Sequence, residues 1–309
     1  MMMDQFNHSL FNSSFYPTDF GKVTANVYII CEITLASLAL LFNSTLLFVL
    51  YKDPLKRFRD SFNIFLTSLT FANTLTVTSL LLSKVLPLVT YPLPAVAEAV
   101  LGSALVSGTQ SSFLVVTCIT LDRLVGVAFP FRHKSLVTKR RACFANLAIW
   151  CVSISLDPIL YRQVMFRVAW FQLYAAEILC LCLISLIVYP ITLMKFLRGE
   201  ARRTKVMSPS KSWRAERLTR KRHLTCTVLL ITVTMVIFTV PYIILSVFVW
   251  IDCIGCLLAP AFLELLVLYP IVYAGHFGLN PFIYAWRLPD YRRSLVSLAC
   301  MRQIRSNQI

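Results

Sequence analysis

The chain has 309 residues, of which 58% are hydrophobic and 14% are charged, and its mean hydropathy is +0.71. Soluble domains contain about 45 to 50% apolar and about 25% charged residues, so this composition excludes an ordinary soluble protein. The net charge of +16 could indicate nucleic-acid binding, but the basic residues lie in polar gaps between apolar runs, which indicates membrane topology and no nucleic-acid partner.

Seven apolar runs follow one another along the chain, and each is long enough to cross a hydrocarbon layer of ~30 Å as a helix. They predict spans near residues 24–50, 61–86, 95–128, 142–160, 168–197, 222–250 and 258–285. The fourth and fifth runs are separated only by a short polar turn. The predicted fold is therefore all-α, a seven-transmembrane helix bundle.

The Lys and Arg residues are distributed unevenly between the two sides of this bundle. Of these 30 residues, 26 lie on one side, which holds the C-terminal segment and the loops between spans one and two, three and four, and five and six. The other side holds the remaining four: Lys22, Lys84, Arg162 and Arg167. Because basic residues collect on the cytoplasmic side of membrane proteins, this bias predicts an extracellular N-terminus and a cytoplasmic C-terminus.

This topology divides the chain into three parts. Residues 1–23 form an extracellular segment, 24–287 the transmembrane domain, and 288–309 a cytoplasmic amphipathic helix with a short tail. One face of that helix carries Leu288, Tyr291, Leu295 and Leu298, with Arg292 and Arg293 beside it. The pattern predicts an interfacial helix in contact with membrane lipids.

Both terminal segments contain candidates for covalent modification. The first 20 residues lack a basic region and a long apolar core, so they are not expected to be a cleavable signal peptide. Asn7 and Asn12 begin glycosylation sequons that are usable only outside the cell, although such sequons also occur by chance. Cys300 lies at the end of the amphipathic helix and is a palmitoylation candidate, a free buried cysteine being the alternative.

A charged pair stands at the inner end of the third span, in Leu121-Asp122-Arg123-Leu124, and Pro130 follows it. A basic anchor at a helix end is one interpretation. The segment also resembles the Asp-Arg-Tyr motif of rhodopsin-like G-protein-coupled receptors, with Leu124 in place of the usual tyrosine. This resemblance implies that Arg123 contacts a heterotrimeric G protein when the bundle opens and that Asp122 is its resting partner.

The last span ends in a second motif, Asn280-Pro281-Phe282-Ile283-Tyr284, which resembles the Asn-Pro-x-x-Tyr motif of the same family. Asn43, Trp150 and Pro241 match the family's first, fourth and sixth spans, so the resemblance extends from about residue 24 to 300. It implies activation roles for Asn280, Pro281 and Tyr284. In the fifth span, Tyr189 matches the family's inner-end tyrosine; the alternative register makes Pro190 the family's mid-span proline.

Several departures from the family pattern bear on regulation. Asn73 replaces the usual second-span aspartate, so a sodium site with Ser112 and Asn280 is expected to be weak at most. Thr239 stands in place of the sixth-span tryptophan. Lys221 replaces the acidic residue that often faces the third-span arginine, which predicts appreciable basal activity.

The cysteine pattern also differs from the usual one. Glu98 stands where the family places the cysteine of its loop disulfide, whereas Cys253 and Cys256 in the third outer loop are disulfide candidates, as in adenosine and melanocortin receptors. A Cys-x-x-Cys pair without two further ligands is poor evidence for a metal. Together these departures resemble the melanocortin, adenosine and cannabinoid branch; divergence of a more distant receptor is the alternative.

Seven residues near the outer halves of their spans are candidates for a ligand pocket: Glu32, Glu98, Glu177, Tyr242, Glu264, Tyr273 and His276. Acidic residues within a membrane are costly and so indicate function, and their charge favours a cationic ligand. Simple interfacial exposure is the alternative for Glu98 and Glu264. Leu105 and Ala274 stand where amine receptors and opsins have their ligand-holding Asp and Lys, so the ligand class stays open among peptide, amine and lipid.

No zinc-protease helix, nucleophile elbow or Walker loop is present in the sequence, so neither an enzyme nor a cofactor is expected. The resemblance implies a plasma-membrane receptor that binds an extracellular ligand within the helix bundle and activates a G protein. A chemosensory or non-signalling seven-helix receptor is the main alternative, and a small membrane transporter a weaker one.

Overall fold

The computed structural model describes residues 19–55, 60–90, 92–129, 132–157, 167–204, 212–251 and 260–306. Regular structure in these ranges is α-helical. In chain order the helices are α1 (Asp19–Lys52), α2 (Ser61–Val89), α3 (Ala95–Ala128), α4 (His133–Leu136), α5 (Lys139–Ser155), α6 (Arg167–Thr204), α7 (Ser212–Trp250), α8 (Pro260–Arg287) and α9 (Pro289–Ser306). The end of the bundle at which α1 begins is named the outer end, and the opposite end the inner end.

Five of the described helices are long and apolar enough to cross a membrane. The segments are Val27–Lys52, Ser61–Val89, Ala95–Ala128, Ala175–Gly199 and Thr225–Phe248. The other two predicted spans correspond to α5 and α8, of which α5 has 17 residues and begins with three basic ones. The chain is therefore a multi-pass helical membrane protein.

The helix ends differ from the predicted boundaries on the inner side. The sequence between Gly199 and His223 is polar, which suggested a loop, but α6 continues to Thr204 and α7 begins at Ser212. Arg, Lys, Glu and Ala are good helix formers, so a helix that leaves the apolar layer need not stop there. The polar composition marked the end of the span but not the end of the helix.

The third helix occupies the centre of the bundle and packs against α2, α5, α6 and α7. Its contact with α2 is close because Gly108 lacks a side chain: a Cβ atom added there would lie 2.5 Å from Thr76 Oγ1 and 3.1 Å from the Ala72 carbonyl oxygen. Small residues allow helix backbones to approach in membranes, where packing replaces the hydrophobic effect between helices. Gly108 therefore sets the distance between these two helices.

The contact between α1 and α8 follows from a proline. Pro281 has no N–H, so the carbonyl oxygen four residues earlier, that of Phe277, lacks its helical donor. Asn43 on α1 fills this role, since its Nδ2 donates to the Phe277 oxygen at 3.0 Å as well as to the Ala39 oxygen at 2.8 Å. Pro281 thus frees a backbone carbonyl oxygen and Asn43 supplies the donor for it, and both residues matched family motifs.

The main buried apolar cluster lies towards the inner half of the bundle, where the helices contribute Leu46, Leu66, Val116, Ile231 and Tyr284 among others.

The final helix packs one side against this cluster. Tyr291 and Ser294 are buried, and Leu298 is partly buried against the core. The predicted apolar face included Leu295, but that side chain is 39% exposed, because the spacing of residues 291, 294 and 298 turns it away from the bundle. Burial raises the pKa of the Tyr291 hydroxyl to about 12.

Candidate functional site

A cavity of about 310 Å³ lies in the outer half of the bundle, with walls from α1, α2, α3, α6, α7 and α8. This volume falls at the lower end of the range for small-molecule sites. Most of the wall is apolar, and includes Leu80, Leu105, Phe113, Ile178, Phe238 and Phe277. The cavity therefore suits a compact ligand with substantial apolar surface.

A hydroxyl pair connects α3 and α8 across this cavity. Thr109 Oγ1 donates to the Leu105 carbonyl oxygen at 2.7 Å and also forms a hydrogen bond with Tyr273 Oη. Because a threonine hydroxyl has a single hydrogen, Tyr273 is the donor in the second bond. The Tyr273 ring also contacts those of Tyr269 in a tilted and Phe277 in an edge-to-face geometry, at centroid distances of 5.6 and 4.9 Å.

One edge of the cavity contains an ion pair between α1 and α2. Lys84 Nζ lies 3.2 Å from Glu32 Oε2, and Glu32 is 4% exposed. The second carboxylate oxygen, Oε1, is buried and has no hydrogen-bond partner among the described residues. Lys84 was not among the predicted pocket residues, and it compensates the charge that led us to expect a cationic ligand.

His276 contributes another buried polar group to the cavity. The residue is 6% exposed, and its ring lies 5.4 Å from that of Phe238 and 5.2 Å from that of Phe277, between centroids. Within the described part of the chain, its Nδ1 atom has no hydrogen-bond partner. Thr239, at the position of the family's tryptophan, also lines the cavity and donates to the Met235 carbonyl oxygen at 2.6 Å.

The predicted pocket residues divide into two groups. Glu32, Tyr242, Tyr273 and His276 line the cavity. Glu98 does not line it, because it is exposed in the first turn of α3. Glu177 does not line it either, since its Oε2 accepts a hydrogen bond of 2.5 Å from Gln110 Nε2. The side chain of Glu264 lies outside the described residues.

Two of the three residues expected at the sodium site, Asn73 and Ser112, are in direct contact. Ser112 Oγ donates to Asn73 Oδ1 at 2.9 Å, and Asn73, Ser112 and Asn280 are all at most 3% exposed. The Asn280 Oδ1 atom has no partner in the described ranges. These amide and hydroxyl groups carry no formal charge, so they would attract a cation less strongly than the family's carboxylate.

At the inner end of α3, Asp122 contacts two basic groups. Arg123 Nε donates to Asp122 Oδ2 at 2.9 Å, and His133 Nε2 lies 2.8 Å from Asp122 Oδ1. Asp122 is 5% exposed, and the Arg123 guanidinium lies 4.9 Å from the centre of the Phe62 ring. The pair that matched the family motif is thus part of a larger cluster.

His133 was not predicted to belong to this cluster. The short helix α4 begins with His133 directly beside Gly126 of α3: a Cβ atom added to Gly126 would lie 3.4 Å from the imidazole Cδ2. A histidine 11 positions after an aspartate gives no local signal of contact. The missing side chain of Gly126 is the one feature that could have suggested close packing here.

The remaining predicted residues are placed as follows. Tyr284 is buried in the inner core. Ser185 Oγ lies 3.3 Å from Thr117 Oγ1, so Tyr189, one turn further along α6, lies towards the inner end. Asn7, Asn12, Cys253 and Cys256 lie outside the described residues, as do the side chains of Lys221 and Cys300.

Comparison with known proteins identifies the family. The model of the family "7 transmembrane receptor (rhodopsin family)" matches residues 42–284. The human alpha-1A adrenergic receptor is 38% identical over 56 residues, and the mouse lysophosphatidic acid receptors 4 and 6 are 30% and 44% identical over 54 and 39 residues. These matches cover 17%, 18% and 13% of this chain, but only 12%, 15% and 11% of the relatives.

The family match confirms the predicted fold, an all-α bundle of seven transmembrane helices. The chain belongs to the rhodopsin family of seven-transmembrane receptors.

Proposed function

We propose that the protein is a G-protein-coupled receptor of the plasma membrane that binds an extracellular ligand in its outer cavity and activates a heterotrimeric G protein at its inner end. One observation carries the proposal: α3 lines the cavity with Thr109 and, at its other end, presents Arg123 within a polar cluster. A single helix therefore connects the place where a ligand fits with the place that resembles the family's coupling motif.

The proposed mechanism is a population shift. A ligand that binds the cavity more tightly in an active arrangement favours that arrangement by the difference in its two affinities. The hydroxyl bond between Tyr273 and Thr109 joins α8 to α3 at the cavity, so a ligand that displaces it would change the relative position of these helices. At the inner end, Arg123 would leave Asp122 and contact the G protein. No covalent chemistry is required.

Two observations support the proposed location and orientation. The family contains membrane receptors, and 26 of the 30 basic residues lie on the side of the C-terminus, which is the cytoplasmic side by the positive-inside rule. The relatives do not identify the ligand. Receptors named for two different ligand classes, adrenergic ligands and lysophosphatidic acid, both match this chain over short segments.

The test is to compare second-messenger output, cAMP and calcium, from the wild type and Arg123→Ala at matched surface levels, with and without a library of peptides, amines and lipids. We expect the variant to lose the signal, by about tenfold or more if one charge-assisted contact to the G protein is removed. Arg292→Ala is the matched control, because Arg292 is an exposed arginine on α9.

An undiminished signal in Arg123→Ala would contradict the proposed coupling site. Silence of both proteins at good surface expression would favour the chemosensory or non-signalling alternative.

A further inference from the structure

The cavity contains a pair of opposite charges at one edge, and this pair limits the net charge of a ligand that fits there. The inference rests on the proposed function, in which the cavity is the ligand site. Among the described side chains that line the cavity, Glu32 and Lys84 carry the formal charges, with His276 counted as neutral. Their separation of 3.2 Å makes them a direct ion pair. The described lining therefore has no net charge, although it contains two charged groups.

A ligand with a net charge would disturb this balance. In a low-dielectric site an unmatched charge is costly to desolvate and interacts strongly with neighbouring charges. An ammonium group at Glu32 would leave one positive charge in excess, whereas a carboxylate at Lys84 would leave one negative charge in excess. An uncharged ligand leaves the ion pair intact.

The pair nevertheless offers one unused acceptor. Glu32 Oε1 is buried and has no hydrogen-bond partner among the described residues, although Glu32 itself is 4% exposed. A buried carboxylate oxygen without a donor is unfavourable, and a hydrogen bond to a charged acceptor is stronger than one between neutral groups. The atom is therefore a specific place for an O–H or N–H group of a ligand.

The other side chains of the cavity wall determine the polarity of the rest of the ligand. The aliphatic and aromatic side chains of Leu80, Leu105, Phe113, Phe238 and Phe277 require an apolar body. Thr109 and Tyr273 satisfy each other, whereas the buried Nδ1 atom of His276 has no hydrogen-bond partner in the described part of the chain. We infer that the cavity takes a compact, largely apolar ligand without net charge, whose hydroxyl or amide group donates a hydrogen bond to Glu32 Oε1.

The inference can be tested with four probes that share one rigid apolar body: adamantylmethanol, methyladamantane, adamantylmethylamine and adamantane carboxylate. They differ only in bearing a hydroxyl donor, no polar group, a positive charge or a negative charge. Binding is measured by titrating the shift in the thermal unfolding midpoint of the full-length receptor in nanodiscs. For the wild type we expect the alcohol to bind most tightly, about tenfold or more better than the methyl compound.

Substitutions of the ion pair should change the preferred charge in opposite directions. Glu32→Gln removes the negative charge that faces Lys84 in the cavity and should make the carboxylate the tightest of the four probes. Lys84→Met leaves Glu32 uncompensated and should make the amine the tightest. The double variant should distinguish little between the two ions. Lys52→Met, an exposed lysine near the inner end, changes the net charge equally and should retain the wild-type order.

Four results would overturn the inference: an ionic probe that binds the wild type best, an alcohol no better than the methyl compound, no binding of any probe to the wild type, or an order of affinities that the variants leave unchanged. Glu32→Gln and Lys84→Met test opposite predictions, so the failure of one to fold leaves the other informative. Because binding is measured without a G protein, these results are distinct from a failure of the Arg123 signalling test.

Discussion

At the scale of single residues, the Asp122 carboxylate controls the inner cluster because it holds Arg123 on one oxygen and His133 on the other. Hydrogen bonds to a charged group stabilise an arrangement by about 1.5 to 3 kcal/mol, so their loss shifts a two-state equilibrium about tenfold or more. The arginine was expected from its motif, whereas the histidine contact depends on the packing of α4 beside Gly126 of α3.

We predict that Asp122→Asn raises basal second-messenger output, because the uncharged amide holds Arg123 less firmly. The measurement is ligand-independent cAMP and calcium signalling normalised to surface expression. Asp60→Asn, at an exposed aspartate just before α2, is the control and should behave as the wild type. An unchanged or lower basal signal in Asp122→Asn would show that this ion pair does not restrain the receptor.

The bond from Asn43 to α8 is a second residue-scale feature. Asn43→Ala leaves the Phe277 carbonyl oxygen buried without its donor, since Pro281 cannot supply one. We expect a loss of about 1 to 3 kcal/mol of stability, measured as a lower thermal unfolding midpoint in nanodiscs. Ser44→Ala, at the exposed neighbouring position, should leave the midpoint within error of the wild type. Equal midpoints for the two variants would refute the role of Asn43.

At the scale of helices, the packing of α2 against α3 depends on the close approach of their backbones at Gly108, and the pattern of apolar residues does not reveal it. An added methyl group at Gly108 meets Thr76 and the backbone oxygen of Ala72, whereas one at Gly275 on α8 meets no described atom within 4 Å. Both glycines lie within predicted spans, and the sequence does not distinguish them.

We therefore predict that Gly108→Ala lowers stability by about 1 to 3 kcal/mol through overpacking, while Gly275→Ala is neutral or slightly stabilising because alanine favours helix. Thermal unfolding of both variants in the same nanodiscs checks this difference. The prediction fails if Gly108→Ala unfolds at the same temperature as Gly275→Ala.

At the scale of the whole molecule, the charge distribution predicts the topology. An epitope tag at the N-terminus should be accessible to antibody on intact cells, and one at the C-terminus only after permeabilisation, because 26 of the 30 basic residues lie on the C-terminal side. Accessibility of both tags on the same side would mean that the number of spans is even. Such a result would point first to α5, which has 17 residues in the structure.

The sequence by itself determined the membrane character, the approximate spans and the family, because apolar runs and the motifs at Asp122-Arg123 and Asn280-Pro281 are local patterns. The predicted third span, 95–128, coincides with α3, and the family match covers residues 42–284. Helix ends were less certain where polar helix formers continued beyond the membrane, as in α6 and α7.

Only the tertiary structure decided which polar side chains meet. Glu177 and Gln110 are 67 positions apart, and Asn43 and Phe277 are 234 positions apart. Glu32 and Glu177 both looked like pocket acids, but one lines the cavity beside Lys84 and the other pairs with Gln110. Hydropathy specifies that a helix crosses the membrane, but the direction of each side chain depends on the rotation and tilt of that helix, which are set by packing against its neighbours.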